Sequence, residues 1–344
     1  MNTQIKVDNT TLGKTHPTLA QSELKIYLHQ PKLWLNILVI VYTLTAYYGG
    51  IILLLFPSIW LNIVGTILVS HGLVYAAFLG HELLHGSVFK KRNLNELTAR
   101  IIRWITGMCY VPFHQAARGH IGHHLGIKFK SKAKGPMAAL LALPKPIIVG
   151  VVILEWLYFP IVSFLYLWWR NLSPLRQGQP WAQRYRVLLL MLARGTMFTV
   201  LGIISFKALS LYFFAYVTMI TVARFNQAFE HTSGYSEDPE SRISFTTFSP
   251  VISKKYPWLD ILVLNFSYHN AHHILMSCPW YHLPSLNRHV FQGHEEHHLA
   301  WVTLLRNYHC FRTTRLFSPS GSAIDQQGNV DLENFYGVQA ALPF

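Results

Sequence analysis

The chain has 344 residues, of which 51% are hydrophobic and only 13% are charged. Because soluble domains carry about 25% charged residues, this composition favours an integral membrane protein over a soluble one. The net charge of +14 lies in short basic clusters between apolar stretches, which argues against a nucleic-acid-binding protein.

The N-terminal part of the sequence predicts a tail followed by a transmembrane hairpin. Residues 1–30 are polar and lack the features of a signal peptide, so we expect a cytoplasmic tail. Uncharged apolar runs follow at 33–56 and 59–80. At about 1.5 Å per residue, each run is long enough to span the roughly 30 Å hydrocarbon core of a bilayer as a helix. The two runs are therefore predicted to cross the membrane and return.

The middle of the chain contains a basic region followed by a third apolar run. The region after Gly80 is rich in Lys and Arg, and the positive-inside rule places it in the cytoplasm. A further apolar run at 146–169 contains Glu155 and Pro160 and leads into another basic loop. A single crossing would put that loop outside the cell or in the lumen, so we expect an interfacial or re-entrant segment here.

A last apolar block predicts two more spans, at 187–204 and 208–225. Arg194 lies inside the first of them and would have to snorkel or face a polar cavity. We therefore predict an all-α bundle of four transmembrane helices in two hairpins, with a cytoplasmic helical cap. This membrane domain should extend over residues 31–300, and residues 301–344 should form a cytoplasmic tail.

Histidine is unusually abundant in this chain. There are 19 histidines against 15 acidic residues, whereas the three cysteines are far apart and form no CxxC pair. The first cluster is His81 and His85 in the sequence HELLHG, where a spacing of four puts both imidazoles on one helical face. Taken alone, HExxH is also the signature of zinc metalloproteases, with Glu82 as general base.

Two copies of the spacing HxxHH add six imidazoles. They are His120, His123 and His124, and then His269, His272 and His273. A catalytic zinc needs only three protein ligands, so eight imidazoles favour two metal ions. Imidazole binds iron, zinc and copper, and the spacing does not choose among them.

The lone histidine after the last predicted span is a ninth candidate ligand. This residue is His231, in the sequence RFNQAFEHTSG. Gln227 lies four residues earlier on the same helical face and could hydrogen-bond a metal-bound water, as could Asn226.

The order of these clusters resembles the membrane-bound fatty acid desaturase and hydroxylase superfamily. The resemblance covers about residues 30–290, and its most specific part is the region around the third cluster. The residues flanking that cluster match the family pattern N-x-x-Y-H-x-x-H-H followed by P-x-Y-x-L-P: Asn265, Tyr268, Pro279, Tyr281, Leu283 and Pro284. The chain departs from the pattern at Asn287, where the family often has histidine. A further HxxHH at His294, His297 and His298 lacks these flanks, and we do not assign it to the site.

The resemblance implies a non-haem centre of two iron ions, O2 as oxidant, and a lipid or fatty acyl substrate. It also implies a separate electron donor, either cytochrome b5 or a ferredoxin with its reductase, because no fused cytochrome b5 domain is visible. Asn265 would act in a structural role or behind the ligands. The implied metal ligands are His81, His85, His120, His123, His124, His231, His269, His272 and His273.

The leading interpretation is O2-dependent desaturation of a fatty acyl chain at the cytoplasmic face of a bacterial inner membrane or the endoplasmic reticulum. Hydroxylation or ketolation of a lipid such as a carotenoid uses the same metal chemistry and is the nearest alternative. An intramembrane zinc protease built on His81, Glu82 and His85 would leave both HxxHH clusters unexplained. A metal transporter would need polar ligands midway through the spans, and these clusters lie at or beyond the span ends.

Overall fold

The computed structural model describes seven stretches of the chain, and these are largely helical. The stretches are residues 25–28, 31–124, 136–175, 179–231, 247–291, 298–317 and 335–337. Their α-helices are α1 (Leu33–Leu55), α2 (Ile59–His85), α3 (Arg92–Ile105), α4 (Phe113–His124), α5 (Pro136–Leu141), α6 (Lys145–Trp156), α7 (Ile161–Asn171), α8 (Trp181–Ile204), α9 (Phe206–Glu230), α10 (His269–Ile274), α11 (Leu283–Val290), α12 (Trp301–Cys310) and α13 (Thr314–Phe317). Within the same stretches, the sheet is limited to the parallel strands β1 (Ser249–Val251) and β2 (His298–Ala300), so the predicted all-α class is confirmed.

Four helices are long and apolar enough to cross a membrane, which confirms the predicted number of spans: α1, α2, α8 and α9. α2 and α9 continue beyond the predicted span ends, to His85 and Glu230, because helical hydrogen bonding persists after the apolar residues end. α2 stops at Gly86, whose φ of 71° is the left-handed conformation that commonly ends a helix. These extra turns carry polar residues out of the apolar zone.

α2 is the central helix of the bundle. In its most apolar window 61% of the residues are buried, against 11% for α8. Two glycines let α1 pack closely on α2, since a Cβ at Gly50 would lie 2.9 Å from the Gly65 carbonyl oxygen. α8 therefore presents most of its surface to lipid, while most of this window of α2 is buried in the protein.

The segment predicted to be interfacial or re-entrant forms two helices, α6 and α7, which meet at 112°. Glu155, near the end of α6, accepts a 2.8 Å hydrogen bond from the backbone N–H of Val162 in the first turn of α7. The same carboxylate forms a buried ion pair with Arg224 on α9, 2.5 Å between Oε2 and Nη1. Glu155 thus fixes the bend and attaches it to the second hairpin.

The segment leading into α10 is held against α2. A 3₁₀ helix at Pro257–Val263 receives two hydrogen bonds from α2, one from Tyr75 to the Ile261 carbonyl at 2.6 Å and one from His71 to the Leu262 carbonyl at 3.1 Å. Asn265 follows with a positive φ of 56°. This turn directs the chain back toward the end of α2.

Candidate metal centre

Three helices bring the clustered histidines together. His81 and His85 occupy the last turn and a half of α2, and their ring centroids lie 4.7 Å apart, as expected for residues four apart on one helical face. The two HxxHH clusters lie on α4 and on the short helix α10. The lone histidine, His231, directly follows α9.

The candidate ligand nitrogens form two groups, within each of which all lie within 4.8 Å of one another. The first group contains His81, His85, His120, His124 and His272. The second group contains His123, His231 and His273. His269 adjoins the second group, because its Nε2 lies 2.9 Å from Nε2 of His231 and its ring centroid 4.5 Å from that of His273. All nine predicted ligands are therefore near one of two points.

Each HxxHH cluster contributes to both groups. On α4 the pair four residues apart, His120 and His124, joins the first group, while His123 joins the second. On α10 the division is reversed, since His272 joins the first group and His273 the second. The groups meet where the ring centroids of His124 and His273 are 4.2 Å apart. The spacing HxxHH thus serves two neighbouring sites rather than one.

The nitrogen spacings match those around metal ions. In the first group, Nε2 of His120 lies 2.8 Å from Nε2 of His85 and 3.0 Å from that of His124. A metal bound at about 2.1 Å holds ligands at right angles about 3 Å apart. An imidazole nitrogen has one in-plane lone pair or one hydrogen, so His120 cannot form hydrogen bonds with both neighbours through Nε2. A shared cation explains this convergence of lone pairs.

The second group fits a metal equally well. Nε2 of His231 lies 3.2 Å from Nε2 of His123 and 2.9 Å from that of His269. Both ring nitrogens of His273 are buried and have no hydrogen-bond partner among the residues that the structure describes. A buried imidazole with two unsatisfied nitrogens is costly unless a ligand completes it.

The electrostatic environment keeps these imidazoles neutral, which is the form that binds metals. Burial, with a smaller contribution from His123, lowers the pKa of His231 to about 3. Burial and the neighbouring His120 and His123 lower the pKa of His124 to about 2. The pKa values of His269, His272 and His273 are also well below the ordinary value, mainly because of burial.

The comparison with protein families agrees with this geometry. The family model described as Fatty acid desaturase matches residues 57–304, which is well over half of the chain and includes all nine histidines. The chain belongs to the fatty acid desaturase family. Neither a curated protein nor a solved structure gives a significant match. Membership of the family makes the protein a membrane-associated oxidoreductase, and a metal-binding histidine cluster fits that class.

Glu82 does not have the environment of a protease general base in this chain. One oxygen of its buried carboxylate accepts hydrogen bonds from the Ser87 hydroxyl at 2.8 Å and from the Trp280 backbone N–H at 3.2 Å. The other oxygen lies 3.8 Å from Nδ1 of His81. Glu82 therefore joins α2 to the segment after α10 and lies beside Nδ1 of a candidate ligand.

Glu230 has the equivalent position in the second group, and sequence reasoning missed it. Its Oε2 lies 3.8 Å from Nδ1 of His269, and the side chain is buried. A carboxylate behind a metal-ligating histidine commonly orients the ring and makes it more basic. An acidic residue directly before the lone histidine, in a chain with so few acids, was the available signal.

The three polar residues predicted to support the ligands, Asn265, Asn226 and Gln227, differ in their hydrogen bonding. Asn265 donates a 3.2 Å hydrogen bond to the Trp280 carbonyl, so its amide supports the third cluster from outside. Asn226 donates within its own helix to the Val222 carbonyl at 3.3 Å. Gln227 is buried, and neither polar atom of its side chain has a hydrogen-bond partner in the described part of the chain. The proposed water-mediated role of Gln227 stays a prediction.

One histidine of the surplus cluster, His298, lies within the described residues. His294 and His297 lie outside the described residues. His298 is in β2, where its Nε2 lies 3.0 Å from the side-chain amide nitrogen of Asn287. Asn287 is the position at which the family often has histidine. In this chain, the histidine that contacts this position is His298. His298 belongs to neither histidine group.

Proposed function

We propose that the protein is an O2-dependent desaturase that introduces a double bond into a fatty acyl chain, using two iron ions held by histidines. The observation that carries the proposal is the division of nine imidazoles into two adjoining groups. One zinc ion would leave most of these buried nitrogens unsatisfied. Two ions with four or five ligands each account for all of them.

The two groups define the ligand sets of this proposal. His81, His85, His120, His124 and His272 would bind the first iron. His123, His231, His269 and His273 would bind the second. With only neutral ligands, the pair of ions would carry a large positive charge. The buried carboxylates of Glu82 and Glu230 are placed to offset part of that charge from behind His81 and His269.

The bound iron would supply, with O2, the oxidising strength needed to remove hydrogen from an unactivated methylene, which no side chain provides. The protein's own residues would shape and dry the site. Phe266 packs on the site, with its ring centroid 4.5 Å from that of His81, and stacks on Phe78 at 4.7 Å. These apolar side chains exclude water and hold the imidazole rings in place.

The proposed setting is a membrane domain over about residues 31–300 with its metal centre on the cytoplasmic face. An acyl chain would enter from the bilayer, and electrons would come from a separate cytochrome b5 or ferredoxin system. The basic regions that flank the spans favour this orientation. The membrane would be the bacterial inner membrane or the endoplasmic reticulum.

Metal analysis of the detergent-purified protein tests the centre. We expect about two irons per chain, whereas a single zinc would contradict the proposal and favour a metalloprotease. His123→Ala should abolish O2-dependent lipid oxidation. His114→Ala is a matched control on the same helix, because its side chain is 66% exposed and belongs to neither group.

Lipid profiling of cells that express the chain tests the reaction. A new double bond that requires O2 and is absent with His123→Ala supports desaturation. A hydroxylated or ketolated lipid with the same dependence would show that the centre is correct and the reaction is not.

A further inference from the structure

A cavity of about 620 Å³ lies among α7, α8, α9 and the loop between α3 and α4. Half of its lining residues are aromatic, and none of the nine candidate ligands lines it. Phe206 and Phe213 at its edge are 76% and 50% exposed. Because both lie on a membrane-spanning helix, the cavity opens toward the hydrocarbon of the bilayer.

Arg194 forms part of the cavity wall, where its side chain is buried. Arg194, the charged residue inside the third span, is buried and donates a hydrogen bond to the Trp104 carbonyl at the end of α3. Its guanidinium lies 5.4 Å from the ring centroid of Trp104 and 5.3 Å from that of Phe198. Gly107 permits the approach, since a Cβ there would lie 3.2 Å from Nη2 of Arg194.

Among the residues that the structure describes, the positive charge around this loop is not matched by a carboxylate in an ion pair. Arg186 donates to the carbonyls of Cys109 at 2.6 Å and Tyr110 at 2.9 Å, and Arg103 is buried nearby. Ion pairs formed within the described stretches include neither of these arginines nor Arg194. Carbonyl groups accept from the guanidinium groups of Arg186 and Arg194, as do the hydroxyls of Tyr110 and Tyr212 in the case of Arg194, but neither kind of acceptor contributes a net charge. A buried charge in a membrane domain normally has a counter-charge and marks a functional site.

We propose that this cavity is a second lipid site, which binds a long-chain carboxylate with its head group against Arg194. The acyl chain runs past Phe206 and Phe213 into the bilayer. A guanidinium is well suited to a carboxylate, because its parallel N–H groups match the two oxygens. The volume falls within the range of about 300–1,000 Å³ that is common for small-molecule sites. The bound lipid lies away from the histidines and is not the molecule that is oxidised.

Binding of radiolabelled hexadecanoate to the full-length protein, purified with its bound metal, in phosphatidylcholine nanodiscs tests the proposal. Hexadecanol has the same chain without the charge and should bind about tenfold more weakly or worse. Arg194→Gln should remove this preference for the acid. Acetate should not compete, since it lacks the chain.

A second variant covers the case in which Arg194→Gln fails to fold. Gly195 lines the cavity, and a Cβ there would meet nothing within 4 Å, so Gly195→Leu should fill the cavity without strain and abolish binding. Gly49→Leu is the matched control on α1, where a Cβ also meets nothing within 4 Å. His123→Ala should bind hexadecanoate normally.

Three results would overturn the proposal. The acid and the alcohol could bind equally well, Gly195→Leu could bind like the unaltered protein, or His123→Ala could lose binding. The last result would mean that the lipid occupies the histidine centre instead. None of these results depends on whether the protein desaturates lipids. The second lipid site could therefore be disproved while the proposed reaction remains correct, and the reverse also holds.

Discussion

The two histidine groups use the same side chain and the same spacing, but they differ in their exposure. Four of the five histidines in the first group are buried, whereas His123 in the second is exposed and His231 and His273 are half-buried. The first group is built on the end of α2, the most enclosed span, and the second on the end of α9 and the outer side of α4. The same motif therefore contributes to one protected group and one more accessible group. We expect the first iron to be retained and the second to exchange more easily.

Removing a histidine at the junction of the two groups should have the largest effect. His124→Ala should remove both irons, because its Nε2 lies 3.0 Å from Nε2 of His120 and 3.3 Å from that of His272, while its ring contacts His273. His123→Ala should remove only the second iron and leave about one per chain. Iron analysis of both purified variants, with His114→Ala as control, measures this. Equal losses in the two variants would show that the groups do not bind independently.

Weakening the attachment of α9 should affect the second group more than the first, because α9 leads directly into His231. Glu155→Gln weakens a fully buried ion pair with Arg224, which lies two helical turns before His231. Breaking one partner of such a pair costs about 3–5 kcal/mol, so the melting temperature should fall and the second iron should be lost first. Thermal unfolding and iron content are the measurements.

Glu96→Gln is the matched control for that variant. Glu96 also pairs with an arginine, Arg100, but the guanidinium side chain is 69% exposed and the pair should be worth less than about 1 kcal/mol. If both variants had the same effect, the buried pair would not be what holds the end of α9.

The carboxylates behind the ligands allow a finer test. Glu82→Gln should weaken the first site and Glu230→Gln the second, each by about 10- to 100-fold in iron affinity, because each variant removes the carboxyl group that neighbours one histidine. Competition with a chelator measures the two affinities. Should either variant weaken both sites alike, the carboxylate would act on the fold and not on its neighbouring ring.

The parts of the molecule that the sequence predicts are those that depend on local patterns. Hydropathy alone identifies the four spans, and a spacing of three or four residues puts His120, His123 and His124 within one arc of a helix. That arc is wide enough to divide between two sites, and only the packing of α4 against α2 and α10 decides the division. The sequence therefore predicts the candidate ligands but not their grouping.

Other features depend on contacts between distant segments. The motif HELLH by itself suggests that Glu82 is a general base. It does not show that the carboxylate of Glu82 accepts a hydrogen bond from the Trp280 backbone N–H, almost two hundred residues later. Arg194 is recognised as an anomaly within a span, yet its carbonyl partner lies at the end of α3. The bend at Glu155 is likewise fixed by Arg224 on another helix. Such pairings require the tertiary structure.

Acidity should have the smallest effect, and it should not distinguish the two groups. Burial lowers the pKa of His124 in the first group to about 2 and that of His231 in the second to about 3. Protons therefore compete with iron for these two ligands only near or below these values. The pKa values of the other ligands are also lowered by burial, so the iron content should be the same after equilibration at pH 7.5 and at about pH 5.5. A histidine with an ordinary pKa near 6.5 would lose about tenfold in affinity over that range, and several such ligands would multiply the loss. Loss of the second iron alone at pH 5.5 would show that the exposure of His123 admits protons as well as solvent, and it would sharpen the contrast between the groups.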